Sequence, residues 1–231
     1  MNKFILSSAE QCITIKRYSD RFKKFGYSPK SLGWDKGKQE VRFQVLTSQY
    51  DFTSKTVLDI GCGFGDLSKF LSINYKDNYQ YFGIDLVPDL INQAKSLYKN
   101  NKINFILGDF LSLEINEEID FAIGSGIFNH KFSNSNDNYE FIEAVMSKAF
   151  NISRDGFSFD FLSDKVDFSS SHTFHSSPEK ILSIAYSLSR NVVLRNDYMP
   201  FEFSIFIFKN DSFSTDDTIF TKFKNECAGI Y

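Results

Sequence analysis

The run Thr56-Val57-Leu58-Asp59-Ile60-Gly61-Cys62-Gly63-Phe64-Gly65-Asp66 constrains this chain more than any other segment. A short apolar stretch ends in glycines at alternate positions, and Leu67, Phe70 and Leu71 follow at helical spacing. That is the pattern of a strand entering a tight turn that opens into a helix, a place where a nucleotide-like ligand can sit. A pyrophosphate-binding turn would want its third glycine where Asp66 stands, with backbone N–H groups facing negative charge. Asp59 and Asp66 instead bracket the turn, so a pyrophosphate meets two carboxylates, whereas a ligand carrying a sulfonium and an ammonium meets attraction.

Three further segments follow in order. Tyr81-Phe82-Gly83-Ile84-Asp85-Leu86 is a second apolar run ending in an acid 20 residues past Gly65, the distance at which a carboxylate after the second strand reaches ribose hydroxyls. A third run, Ile103 to Leu107, leads into Gly108-Asp109-Phe110, and a fourth, Ile119 to Ile123, opens into Gly124-Ser125-Gly126-Ile127-Phe128-Asn129-His130. Together with the glycine turn, these segments resemble the ordered motifs of the class I S-adenosylmethionine-dependent methyltransferases. The resemblance covers about residues 50 to 210 and implies S-adenosylmethionine as cofactor and S-adenosylhomocysteine as product. It implies that Asp59 serves the methionine end, that Gly61, Cys62 and Gly63 cradle the ligand, and that Asp85, followed by Leu86, accepts from the ribose. Asp109 then accepts from the adenine amine, Phe110 packs on the ring, and Ser125 belongs to the floor of the reaction site.

The fourth motif lacks the Asn/Asp-Pro-Pro-aromatic run typical of family members that methylate amide or base nitrogens, which argues against DNA, rRNA and release-factor substrates. The resemblance points to small-molecule methyltransferases of bacterial biosynthetic clusters, some acting in surface-polysaccharide or secondary-metabolite pathways. The expected reaction is methyl transfer to the oxygen of a small, anionic or sugar-like acceptor. The rival expectation is a catalytically inactive S-adenosylmethionine-binding subunit of a heteromeric complex.

A chain of 231 residues, 42% hydrophobic, buries a sizeable core. Its 27 phenylalanines are spread through every predicted strand and read as core filler. No run of 18 apolar residues occurs and the first residues lack the apolar core of a signal peptide, so a soluble, cytoplasmic protein without membrane contact is expected. Cys12, Cys62 and Cys227 are widely spaced and suggest neither a disulfide frame nor a zinc site. The net charge is −3, yet Lys16 to Arg42 holds nine basic residues against three acids. That stretch reads either as a solvated helical face or as a lid offering cations to an anionic acceptor. It has no aromatic ladder for stacked bases, so no nucleic-acid partner is expected.

Helices are expected near 8–24 and 36–50, broken by Gly26, Pro29 and Gly33. Strands are expected at 56–60, 79–85, 102–107, 119–124, 156–162, 191–196 and 202–209, with helices at 65–75, 88–100, 137–151 and 178–189. This alternation predicts an α/β, doubly wound, mostly parallel seven-stranded sheet. The last two strands are too close for a crossover, so they form a hairpin and the final strand is antiparallel. The chain divides into a helical lid (1–50), a cofactor-binding domain (51–209) and an irregular tail (210–231).

Methyl transfer needs acceptor, methyl and sulfur held in line, and a hydroxyl acceptor gains from a general base. His130, just past the fourth strand, is the candidate base, although it also reads as a histidine that only fixes its loop. His172 and His175, on the serine-rich stretch from Asp164 to Ser177, are the alternatives. With Asp167 they make only a weak metal pattern, and no metal is expected. Trp34 and Lys36 on the inferred lid, Asn129, and Arg195 and Tyr198 on the hairpin are the candidate acceptor contacts. Arg195 reads more simply as an ion-pair partner of Asp197 or Glu202 that closes the hairpin.

Overall fold

The computed structural model describes residues 4–34, 38–76, 78–168 and 170–226. Seven strands form one sheet in the order β3-β2-β1-β4-β5-β7-β6. They are β1 Lys55–Ile60, β2 Tyr79–Asp85, β3 Ile103–Leu107, β4 Ile119–Gly124, β5 Ser153–Leu162, β6 Val192–Arg195 and β7 Glu202–Phe208. β1 pairs parallel with both β2 and β4, while β7 runs antiparallel between β5 and β6. The order reverses at β1 and β4, which leaves a crevice beyond their carboxyl ends.

The helices are α1 Ser8–Phe25, α2 Gln39–Thr47, α3 Asp66–Tyr75, α4 Pro88–Leu97, α5 Ser135–Ile152, α6 Pro178–Leu188 and α7 Thr221–Glu226, with a short 3₁₀ turn at Pro29–Leu32. Ser7 caps α1 by accepting from Glu10 N, and Ser177 caps α6 by accepting from Lys180 N. Pro88 and Pro178 open their helices, where the missing N–H costs nothing.

Alternation along the strands divides the core in two. Leu58, Ile60 and Ala122 pack with α5 and α6 through Ile142, Val145 and Ile181, whereas Val57, Phe121 and Ile123 pack with α2 to α4 through Leu46, Leu71 and Ile91. The phenylalanines fill both layers: Phe157, Phe159 and Phe161 lie in the first, and Phe52, Phe206 and Phe208 in the second.

Three expectations need adjustment. β5 begins at Ser153, directly after α5, so no loop separates them. α5 starts at Ser135, two residues before the expected 137, and the buried Asn138 side chain inside it bridges His130 O and Phe132 N. The segment expected as an irregular tail holds α7 and a bridge between Phe213 and Phe220, whose rings stand 6.5 Å apart.

Candidate active site

The glycine turn is locked to β2 by backbone. Gly61 N and Cys62 N both donate to Ile84 O, at 2.8 and 3.0 Å. Gly61 has φ +70°, and a Cβ on it would fall 2.4 Å from Ile127 Cγ2, so only glycine fits between β1 and the loop after β4. Asp85 closes the other side: its carboxylate accepts from Gly63 N at 2.8 Å and from Val87 N at 2.9 Å. The acid at the end of β2 thus holds the turn after β1 and the start of α4 together.

Over this turn lies a cavity of about 1210 Å³, counting its open mouth. Asp59, Gly61, Cys62, Gly63, Asp85, Leu86, Asp109, Phe110 and Ser125 line it, as do Trp34 and His130. No lysine or arginine does so among the described residues. Asp59 is 5% exposed, and burial pushes its carboxyl up to about 7 against the stabilising hydrogen bond from Tyr81 OH at 2.5 Å. Burial also raises Asp85 and the Cys62 thiol. Asp109 accepts from Leu111 N and Ser112 Oγ, at 3.2 and 2.7 Å, which fixes the turn after β3.

Asp66 departs from the bracketing role expected of it. Its carboxylate accepts from Tyr27 OH at 2.7 Å and lies outside the cavity lining. The carboxylates lining the cavity are Asp59, Asp85 and Asp109.

At the end reached by the loop after β4, Arg17 Nη1 lies 2.8 Å from His130 Nδ1, and His130 Nε2 lies 3.8 Å from Glu10 Oε2. Burial first and Arg17 second hold the imidazole below its ordinary pKa, with Glu10 opposing. Glu10 Oε1 accepts from Ser133 N, while Oε2 is buried without a hydrogen bond. Thr14 and Tyr18 of α1, one helical turn apart, form part of the adjoining wall, with Leu6, Phe132 and Phe141.

Several expected acceptor contacts lie elsewhere. Arg195 donates through Nε and Nη2 to Asp197 and through Nη1 to Ser48, and does not line the cavity. Tyr198 shares a hydrogen bond with Ser204 Oγ at 2.7 Å, also outside the lining. Asn129 is outside it too: its carbonyl accepts from Phe174 N and its Oδ1 is buried without a partner. Lys36 falls outside the described residues. In the basic stretch, Arg21 donates to Lys30 O and Arg42 to Glu202. His172 meets Ser170, and His175 meets Thr173 and Ser163 O; neither lines the cavity. Among the described residues no group of three or more His, Cys, Asp or Glu side chains could hold a metal ion, and no helix is long and apolar enough to cross a membrane.

Tyr18, Glu10, Arg17, Asn138 and Asp160 escape sequence reading. Glu10, Arg17 and Asp160 act across more than thirty residues, and no local spacing marks any of the five. Asp160 is the most consequential: its Oδ2 accepts from Ser125 Oγ and its Oδ1 from Gly126 N, both at 2.6 Å.

Comparison with known proteins agrees with this geometry. Residues 57–156 match the family described as a methyltransferase domain. A curated relative, malonyl-[acyl-carrier protein] O-methyltransferase of Acetivibrio thermocellus, is 29% identical over 93 residues, 39% of this chain; the match spans about a third, 32%, of that relative's length. Among solved structures, magnesium protoporphyrin IX methyltransferase of Synechocystis PCC 6803 with bound SAH superposes with a TM-score of 0.63 at 15% identity, covering 86% of this chain and 99% of that one. The N-methyltransferase NodS of Bradyrhizobium japonicum WM9, also with SAH, gives 0.60 at 14% identity, covering 83% and 97%. Motif order and the family match give residues 57–156 as a methyltransferase domain, and the sheet order gives the chain the fold of these solved methyltransferases.

Proposed function

We propose that this chain uses S-adenosylmethionine to methylate the oxygen of a small, sugar-like hydroxyl acceptor. The observation that carries the reading is the charge of the cavity: Asp59, Asp85 and Asp109 line it, and no basic side chain does so among the described residues. The residues fit the cofactor. Asp59 is a buried carboxylate whose charge burial disfavours, and a cationic ligand restores what burial removes. Asp85 carries two lone-pair sites beyond those used by Gly63 N and Val87 N, suited to ribose hydroxyls. Asp109 and Phe110 would take the adenine, the latter by packing on its face. S-adenosylmethionine supplies an activated methyl group; the chain holds the acceptor in line, excludes water and receives a proton.

His130 is the proposed base, since its imidazole lines the cavity and is held toward the neutral form. Residues 1–50 serve as the lid, with Thr14, Tyr18 and Trp34 as its inner face. Oxygen as the acceptor atom is consistent with the O-methyltransferase named among the relatives. A phosphate-like or carboxylate acceptor is less suited, because a described cation near the reaction end, Arg17, is engaged by His130. The basic stretch is therefore better read as an outer face.

Calorimetry with S-adenosylhomocysteine tests the cofactor, and labelled methyl transfer to a panel of sugars, carboxylic acids and amines tests the acceptor. Micromolar product binding with transfer to a hydroxyl is the expected result. Absence of binding overturns the reading. Binding without transfer to any acceptor favours a cofactor-binding subunit of a larger enzyme, and transfer to amines alone excludes oxygen.

A further inference from the structure

Asp160, on β5 and 1% exposed, closes a ring of contacts that begins and ends on its own carboxylate. Its oxygens hold Ser125 Oγ and Gly126 N at 2.6 Å. Gly126, with φ +73°, lies so close beneath Trp34 that a Cβ would fall 2.6 Å from the indole. The Arg42 guanidinium also lies over that indole, 4.1 Å from the ring centroid. Arg42 Nε returns to within 4.0 Å of Asp160 Oδ2, while Nε and Nη2 both engage the Glu202 carboxylate. Beyond these, Ser204 stands opposite Asp160 in the β5–β7 register, with the Tyr198 hydroxyl on it.

A buried ion pair is a weak source of stability compared with apolar side chains of the same volume, so its presence calls for another reason. What the ring does is geometric. It ties α2 and the loop bearing Trp34, which precede the sheet, to the turn after β4. Trp34 and Ser125 both line the cavity; Asp160 and Arg42 do not.

We propose that Asp160 is a positioning residue for the acceptor side of the cavity: through Gly126 and Arg42 it holds Trp34 as a fixed wall and touches neither cofactor nor acceptor. The inference deepens the methyltransferase reading and rests on it for the identity of the cavity. Burial raises the Asp160 carboxyl to about 6, with Arg42 and Ser125 opposing. Protonation removes the negative charge that faces Arg42 and makes the Ser125 hydroxyl accept where it had donated.

Trp34 is the chain's single tryptophan, so its emission reports this wall directly. In the ligand-free parent, Trp34 emission should change with a midpoint near pH 6. In Asp160→Asn that step should vanish, and acrylamide quenching of Trp34 should rise about two- to tenfold, the population change given by weakening one polar contact, here that of Arg42 with the lost carboxylate charge. Any step due to Asp59, Asp85 or His130 survives the substitution. Affinity for S-adenosylhomocysteine should change by less than about threefold, since Asp160 itself does not line the cavity. Ser125→Ala, which removes one of the two bonds, should raise quenching in the same direction and carries the test if Asp160→Asn does not fold by circular dichroism. Unchanged quenching in the folded variants overturns the proposal, as does loss of product binding in Asp160→Asn with Trp34 unmoved. A parent that binds no S-adenosylhomocysteine defeats the methyltransferase reading, while the ligand-free fluorescence still decides the role of Asp160.

Discussion

Arg17 Nη1 stands 2.8 Å from His130 Nδ1, and since a guanidinium only donates, the imidazole nitrogen must accept. The ring is therefore neutral with its proton on Nε2, the nitrogen facing Glu10. For Nδ1 to take a proton from an acceptor hydroxyl, that hydroxyl must displace Arg17. Arg17→Met should accordingly raise the His130 pKa, read from the imidazole resonances by NMR. Because the folded pKa is lowered, His130 contributes stability that is present above its unfolded value of 6.5 and lost as pH falls through the folded one. Arg17→Met should flatten that loss in thermal melts below pH 6.5. A titration unmoved by Arg17→Met would contradict the pairing.

His130→Ala should lower methyl transfer by about two to four orders of magnitude, the scale of general-base catalysis, with product affinity unchanged. Unchanged turnover would leave positioning alone as the mechanism.

Asp59 couples cofactor binding to protons. Its carboxyl is raised to about 7 in the ligand-free fold, so its contribution to stability is full below the unfolded value of 3.8 and lost as pH rises through 7. Binding of a ligand ammonium favours the ionised form. Calorimetry near pH 7 in buffers of different ionisation enthalpy should show proton release from the parent and less from Asp59→Asn. The same variant should melt higher than the parent above pH 7 without ligand. Equal proton release from both would remove Asp59 from the methionine end.

Gly61→Ala should impair the turn twice over. The left-handed φ disfavours a side chain by about 1–2 kcal/mol, and the new Cβ would meet Ile127 Cγ2. Adding Ile127→Ala should recover part of the lost melting temperature and product affinity, leaving the dihedral strain. Full recovery would mean that contact alone dictates glycine.

Asp85→Ala should weaken both the ligand and the fold. It leaves Gly63 N and Val87 N without their acceptor, each costing about 1–3 kcal/mol when buried. Chemical denaturation and product calorimetry should fall together. Arg195→Ala is the contrast: its pair with Asp197 is exposed, so stability should change by about 1 kcal/mol or less, with product affinity unchanged.

The chain's local chemistry determined the strands, the glycine turn and the acids that follow each strand. Strand formation and a tight turn depend on residues within a few positions, and period-two alternation declares which side of the sheet Leu58 and Val57 take. The lining of the cavity by Asp59, Asp85, Asp109 and Ser125 was legible for the same reason, since parallel strands deliver their carboxyl ends to one edge. Asp66 and Arg195 could not be placed that way. A charged side chain reaches several partners from one backbone position, and which one it meets depends on elements distant in sequence, Tyr27 in one case. For Arg195 it met the near neighbour, Asp197, in preference to the cavity. The pairings of Arg17 with His130 and of Asp160 with Ser125 and Arg42 were decided by tertiary structure alone: they span 113, 35 and 118 residues, and it is burial in the folded chain that makes those few polar contacts matter.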